Sequence, residues 1–479
     1  MRKFFIFNFL YLLSLTCGLP QYSIVTNSIY CTSVGRNLIL LGGNIIDASI
    51  GVMLCEGLVS PQDSGIGGGF TGIVKMNREV FMVDAREVSP KKLTKLSDIK
   101  NNFYEIGVPG ALRGYQAIHR RWGKMNLRKI IEYLEVLCKN GVPADRNLLR
   151  IINHYQNFKH LIGTNGKMRN IELCNTLSKI KNKGINHFYN TISEDIIKDL
   201  HNYNNKIEKN DFVRYRAKIT KPSYKRLNSS IDFYSTSYPG VGKVLLEDVK
   251  KIFNSKYDII EIQREFYKSV PKYRYYEYSK KIPKWKVSEK EKKHGTTNIC
   301  IQDDKYNCLC FTSTINRYFG SNFISNSTGV ILNNQLKDFP DYYNKSISRI
   351  SPPSYSSVII MLKNKKPILM MGGTGGYRIP SGVLNVMYNI FRNNMTFKDA
   401  IDNPRLFSNK YKEIQAEKCY LTNRLCDKYY ERVNGMKNNN VVIYDYSSYN
   451  TVTGIYKREP VFDLRRGGYG LRFSRFEYI

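Results

Sequence analysis

The chain has 479 residues, with 74 Lys and Arg against 40 Asp and Glu, a formal net charge of +34, and 42% apolar residues. That apolar fraction supports a buried core and excludes wholesale disorder. A single apolar run able to engage a membrane excludes a multi-span membrane protein, and the length fits two or three domains or one large α/β domain.

The N-terminus reads Met1-Arg2-Lys3, then an apolar run from Phe4 to Leu15, then a small-residue site at Thr16-Cys17-Gly18. This is the grammar of a secretory signal. The run is short of the roughly 20 apolar residues of a membrane span. Residues 1–18 are therefore expected to be a signal peptide or signal anchor, leading to an extracellular or cell-surface location.

Residues 30–60 read as helical, with Asn44 placed to cap a helix from Ile45 to Leu58. That helix is apolar on most faces, which predicts burial. The glycine-rich loop Ser64-Gly65-Ile66-Gly67-Gly68-Gly69-Phe70 lacks the Lys-Ser/Thr of a phosphate loop, and no strand clearly precedes it. It reads as a tight turn that lets backbones approach. A strand from Val80 ends on Arg86. Residues 112–220 alternate helical patterns with polar links, as in Leu127 to Cys138 and Ile192 to Leu200. An amphipathic helix, Val244 to Phe253, follows Pro239-Gly240-Val241-Gly242.

The stretch from Arg264 to Lys293 holds eleven Lys/Arg, four Glu and seven aromatics. Basic residues interleaved with Tyr can bind single strands. No zinc-finger, helix-turn-helix or RNA-binding signature accompanies them, so the stretch reads as a solvated connector and no nucleic-acid partner is expected.

In the second half, residues 296–303 and 306–320 read as two strands around a turn at Asp303-Asp304, with Cys308, Cys310, Thr312 and Thr314 on one face. A strand from Ser357 to Leu362 precedes Pro367 to Met371, which runs into Gly372-Gly373-Thr374-Gly375-Gly376 and a helix near Ser381 to Phe391. Strand, glycines and helix in that order aim backbone N–H groups at an anion. Of ten Cys, Cys17 falls in the signal; the odd number left predicts at least one unpaired thiol. No CxxC occurs, so no metal is expected, and glycosylation sequons start at Asn228, Asn326, Asn344 and Asn394.

The junction His294-Gly295-Thr296 carries the chemistry. A cut between Gly295 and Thr296 would leave Thr296 with a hydroxyl nucleophile and a free α-amine. That amine has a pKa of about 8, against about 10.4 for Lys, so it can serve as general base near neutrality. No separate catalytic His is required.

The chain resembles the γ-glutamyltransferase (glutathione hydrolase) family over most of its length. The resemblance rests on Gly42-Gly43-Asn44-Ile45-Ile46-Asp47-Ala48, Leu54 to Val59, the Ser64 to Gly69 loop, Asp84 to Pro90, and Val108-Pro109-Gly110. In the second half it rests on Gly295-Thr296, Thr312 to Ser321, Gly329 to Gln335 with Asp338, the glycine run, Asn403-Pro404-Arg405-Leu406, and Arg465-Arg466-Gly467-Gly468. It implies an α/β fold, the N-terminal-nucleophile hydrolase αββα sandwich, and a precursor that cuts itself into a large subunit (19–295) and a small subunit (296–479) that stay together as a heterodimer. Thr296 would attack the γ-glutamyl amide of glutathione or its conjugates, and the acyl group would pass to water or to an amino-acid or dipeptide acceptor. No cofactor is implied.

The resemblance also assigns roles. Arg86 would pair with the substrate α-carboxylate, and Asn316, Gln335 and Asp338 would hold its α-ammonium. Thr314 would orient Thr296, and Gly375 and Gly376 would form the oxyanion hole. Cys31 and Cys55 would form a disulfide. Two departures stand out. Where the family places a Ser pair, this chain reads Ser351-Pro352-Pro353-Ser354, so Ser351 or Ser354 would substitute. The stretch from Phe253 to His294 is short for the family's last large-subunit helical region. The alternatives are a non-catalytic secreted relative with a binding or structural role, and an acylase of the same superfamily acting on another γ-linked amide.

Overall fold

In the computed structural model, which describes residues 21–99, 103–203, 205–276, 294–339, 346–408, 414–419, 424–435, 441–444 and 450–475, alternating apolar positions build two large antiparallel sheets. The expected signal, the sequon at Asn344 and residues 277–293 of the basic stretch lie outside the described residues.

The first sheet contains β1 (Gln21–Thr26), β2 (Gly69–Met76), β3 (Glu79–Ala85) and β4 (Lys218–Thr220). The second begins with β5 (Ser223–Asn228) and β6 (Ile231–Ser235). The chain then returns to the first sheet with β7 (His294–Gln302) and β8 (Cys308–Arg317), and to the second with β9 (Ile359–Lys363), β10 (Lys366–Thr374), β11 (Thr451–Tyr456) and β12 (Glu459–Val461). It ends on the first with β13 (Tyr469–Ser474). The strand orders are β13-β1-β7-β8-β2-β3-β4 and β12-β11-β10-β9-β6-β5.

Period-two alternation sorts the side chains into layers. Ile299, Ile301, Leu309 and Phe311 face outward, against helices α1 (Ile29–Leu40), α2 (Ile45–Val59) and α3 (Ala111–Trp122). Cys300, Cys308 and Cys310 face inward and meet Val358, Ile360, Met370 and Ile455 of the second sheet. The other face of that sheet, with Ile359, Met361, Leu369 and Met371, packs on α4 (Gly242–Ile252), α5 (Ile259–Tyr276) and α6 (Ile379–Phe391). The result is the αββα sandwich.

The helical region near residues 30–60 is two helices, α1 and α2, separated at Gly42-Gly43. Asn44 caps α2: its Oδ1 accepts from the N–H groups of Ile46 and Asp47, and the Asp47 carboxylate accepts from the Asn44 N–H. Every residue of α2 is buried, as its even apolarity predicts. The glycine-rich loop is a close-approach turn, accepting backbone bonds from Asn333 at Gly67 and Gly110 at Gly68. The helix expected from Leu127 to Cys138 is broken into Leu127–Glu132 and Glu135–Asn140.

The reading of Arg264 onward as a solvated connector is corrected for its first part. Residues Ile259–Tyr276 form α5, because Ile259, Ile260, Ile262, Phe266 and Val270 recur at helical spacing and are buried against α4 and α6. Disulfides join Cys31 to Cys55, Cys138 to Cys174, Cys300 to Cys310 and Cys419 to Cys426, and among the described residues Cys308 is a buried free thiol. Among the described residues no helix is long and apolar enough to cross a membrane.

Candidate active site

Thr296 lies near the start of β7, in the middle of the first sheet, and is buried. Its Oγ1 donates to the Gly295 carbonyl at 2.6 Å and lies 3.2 Å from Thr314 Oγ1. The Thr314 hydroxyl donates to the same carbonyl at 2.6 Å. Two hydroxyls thus meet the carbonyl of the candidate scissile bond. Gly295 itself has no room for a side chain, since a Cβ there would sit 2.3 Å from the Gln62 carbonyl oxygen.

A β-bulge shapes the neighbouring strand. Ser313 pairs with Thr297, but Asn316 pairs with Gly295, so β8 carries one residue more than β7 over this interval. Asn316 adopts φ +81°, in the left-handed region, and the bulge re-aims its side chain. Its N–H donates to Thr314 Oγ1 at 2.8 Å and its Nδ2 to Asp338 Oδ1 at 3.2 Å, so one residue links the hydroxyl pair to the acid.

Asp338 ends a short 3-10 turn, Gln335–Asp338. Its Oδ2 accepts from Arg86 Nη2 at 2.8 Å and from Gln335 Nε2 at 2.8 Å. The Asp338 side chain keeps 26% exposure while Arg86 keeps 3%, so the cluster opens to solvent through the acid. Gln335 Oε1 is buried and makes no hydrogen bond within the structure, leaving an acceptor beside the acid. Arg86 follows β3 directly, held where its carbonyl accepts from the Tyr215 hydroxyl. Its guanidinium donates to the carbonyls of Pro352 and Pro353 at 3.3 and 3.2 Å. Glu87, 3.9 Å from the Arg86 Nε, is pushed up to about 7 by burial, against the pull of Arg86, so it carries only part of its charge near neutrality.

The Ser351–Ser354 segment therefore meets Arg86 through proline carbonyls. The Ser354 hydroxyl accepts from the Ser356 N–H, and the Ser351 carbonyl accepts from the Tyr238 hydroxyl. Gly375 and Gly376 follow β10 with φ +108° and +59° and lead into α6. Gly376 packs on the His294 ring, where a Cβ would lie 2.5 Å from it. The second sheet thereby delivers the glycine turn to the start of β7.

Three participants carried no assigned role in the sequence. His294 Nδ1 lies 3.2 Å from Asn316 Oδ1, and burial lowers its pKa, favouring neutral imidazole. Arg466 donates to the His294 carbonyl at 2.8 Å and to the Thr296 carbonyl at 3.4 Å. Asp63 is buried, pairs with Arg466 at 3.3 Å and lies close enough to the backbone N–H of Thr296 for that N–H to lower its pKa. Arg466 sits in the Arg465 to Gly468 motif, and Asp63 immediately precedes the Ser64 to Gly69 loop. A charged residue beside a glycine motif was the available signal. Of the sequons, Asn228, Asn326 and Asn394 are exposed.

Comparison with known proteins bears on this arrangement. Glutathione hydrolase 2 of Arabidopsis thaliana is 27% identical over 80% of this chain and 80% of its own length. The glutathione hydrolase proenzyme of Bacillus subtilis (strain 168) is 25% identical over 81% of this chain and 80% of its own. A cephalosporin acylase from Bacillus halodurans shares the fold, with a TM-score of 0.77 over 95% of this chain and 96% of that one at 17% identity. The family described as Gamma-glutamyltranspeptidase matches residues 31–259 and 256–462. That match runs through both sheets and across the Gly295–Thr296 junction, and the chain belongs to the gamma-glutamyltranspeptidase family of enzymes.

Proposed function

We propose that the chain is a γ-glutamyl transferase/hydrolase that acts on glutathione and its conjugates through a Thr296 acyl-enzyme, after cleaving itself between Gly295 and Thr296. One observation carries the reading: Arg86, Asn316 and Gln335 converge on Asp338, and Asn316 joins that cluster to the Thr296–Thr314 hydroxyl pair. A free amino-acid head presents a carboxylate and an ammonium. Arg86 answers the first and Asp338 the second, each exchanging its present partner for a substrate charge. Gln335 Oε1 adds an acceptor for the ammonium. Two relatives bear the name glutathione hydrolase, which supports the same substrate class.

In processing, Thr296 Oγ1 attacks the Gly295 carbonyl, the C–N bond breaks, and water hydrolyses the resulting ester. The subunits 19–295 and 296–479 remain associated, since β7 pairs with both β1 and β8. In turnover the freed amine takes the hydroxyl proton as Oγ1 attacks the γ-glutamyl carbonyl. Gly375 and Gly376 N–H groups receive the oxyanion, each donor contributing about 3–4 kcal/mol in comparable sites. The amine of the leaving group departs protonated, and water or an amino acid takes the glutamyl group. With residues 1–18 as a signal, the enzyme enters the secretory pathway, where the three exposed sequons are open to glycosylation.

The test is N-terminal sequencing of the purified protein together with release from a γ-glutamyl anilide. We expect two fragments, the smaller starting at Thr296, and activity that Thr296→Ala abolishes along with the cut. A wild-type chain recovered whole and inert towards glutathione would leave a non-catalytic binding protein instead.

A further inference from the structure

The Gly295–Thr296 bond is gripped from the side opposite the hydroxyl pair. Arg466 holds the carbonyls of His294 and Thr296, one on each side of Gly295. Gly295 packs on the backbone of Gln62 and Asp63. The Asp63 carboxyl accepts from two side chains, Arg466 Nη1 at 3.3 Å and Gln62 Nε2 at 2.9 Å, and its pKa is drawn down by the nearby backbone N–H of Thr296. The last is the nitrogen that leaves when the bond breaks and that serves as the base afterwards.

We propose that Asp63 serves the Thr296 nitrogen, protonating it as the 295–296 bond breaks and then holding the freed amine beside its own hydroxyl, with Arg466 positioning both. The balance is simple. The Oγ1–C bond forms at Gly295, the C–N bond breaks, and its electron pair goes to nitrogen, which takes a proton from the Asp63 carboxyl. The proton lost by Thr296 Oγ1 passes to water, and water returns a proton to the carboxyl. Water then adds to the ester, giving the Gly295 carboxylate and the free Thr296 hydroxyl. In the mature enzyme the carboxylate faces the ammonium form of the amine and fixes its direction.

The electrostatics fit both roles. Burial pushes the Asp63 carboxyl up to about 6, against the pull of Arg466, so both protonation states are accessible near neutrality. Glu56 on α2 and Asp145 face the same carboxyl; the Asp145 charge raises it further, and Asp63 in turn raises Glu56. Tyr318 donates no charge but takes an Arg466 hydrogen bond, and neutral His294 lies on the far side of Gly295.

This inference rests on Thr296 being the nucleophile, and the experiment separates the two. Full-length Asp63→Asn, Thr296→Ala and wild type are purified, and cleavage is followed by intact mass. The pH profile of kcat/KM is then measured on the cleaved fraction. Asp63→Asn should slow cleavage at least tenfold. Losing the anion disfavours the ammonium, so the acid limb should move to lower pH by about one unit. A merely structural role would lower the rate without moving that limb. Should Asp63→Asn give no cooperative melt, Asp63→Ser, which keeps a short acceptor without charge, is expected to show the same two effects. Wild-type cleavage and an unmoved limb in a folded Asp63 variant would overturn the inference. A wild type that is not cut, or a Thr296→Ala that is, would overturn the reading beneath it.

Discussion

At the scale of single residues, the pocket depends on the shape of a guanidinium as much as on its charge. Arg86 uses two different nitrogens to reach Asp338 and the carbonyls of Pro352 and Pro353, all from a buried position. A lysine would keep the positive charge but place it at one point, without the planar fork that matches a carboxylate. Arg86→Lys should therefore fold and still be cleaved, because the Arg86 guanidinium is engaged with Asp338 and the proline carbonyls, away from the Gly295–Thr296 bond. Its KM for a γ-glutamyl substrate should rise at least tenfold, about 1.4 kcal/mol of binding, with kcat changed far less. Steady-state kinetics on the processed variant check this. An unchanged KM would remove Arg86 from the carboxylate site.

At the scale of elements, what could be read in the sequence follows how local the cause is. Asn44 before an apolar run predicts the α2 cap, and the capping box with Asp47 is present. Asn44 Nδ2 also donates to the Trp122 carbonyl at 2.7 Å, tying the start of α2 to the end of α3. Asn44→Ala should cost about 0.5–2 kcal/mol, the usual range for a lost cap, read as a lower denaturation midpoint in an uncleaved Thr296→Ala background. No change in midpoint would mean that packing alone fixes the end of α2. The β7–β8 hairpin and the strand–glycine–helix unit of β10 were equally legible, since alternation and turn residues are local signals. Helix α5 was not, because its Lys and Tyr content masks an apolar stripe that only the facing α4 and α6 reveal. The bulge at Asn316 and the reach of Asp63 to Thr296 depend on pairing between segments far apart in sequence, and composition holds no trace of them. The cluster of Arg86, Asn316, Gln335 and Asp338 was legible through the family resemblance; that Arg86 meets the carbonyls of Pro352 and Pro353, between the Ser351 and Ser354 expected to grip the substrate carboxylate, required the backbone path.

At the scale of the whole molecule, a chain of net charge +34 keeps several carboxyls in its interior. Asp463 is matched: burial raises its pKa, but Arg465 and Arg405 outweigh burial and hold it below the usual value. Others are not fully matched. Burial pushes Glu56 to about 8, Glu87 to about 7, and Asp63 and Asp248 to about 6. For each, the folded state binds a proton more tightly than the unfolded chain. Between the unfolded values near 4 and these folded ones, folding takes up protons, so stability falls as pH rises through the window. Glu56 lies furthest from its ordinary value, with Oε1 accepting from the Asn27 N–H and Oε2 unpartnered. Glu56→Gln keeps the shape and the Oε1 acceptor while removing the ionisation. Its stability relative to the parent, in an uncleaved Thr296→Ala background, should improve steadily from pH 5 to pH 8.5. The gain should be on the order of 1–3 kcal/mol, since each tenfold difference in proton affinity between folded and unfolded states is worth about 1.36 kcal/mol before relaxation reduces it. Denaturant unfolding at several pH values measures this directly. Parallel curves for parent and variant would mean that Glu56 stays ionised in the fold, which would require a cation beside helix α2 in place of the apolar packing around it.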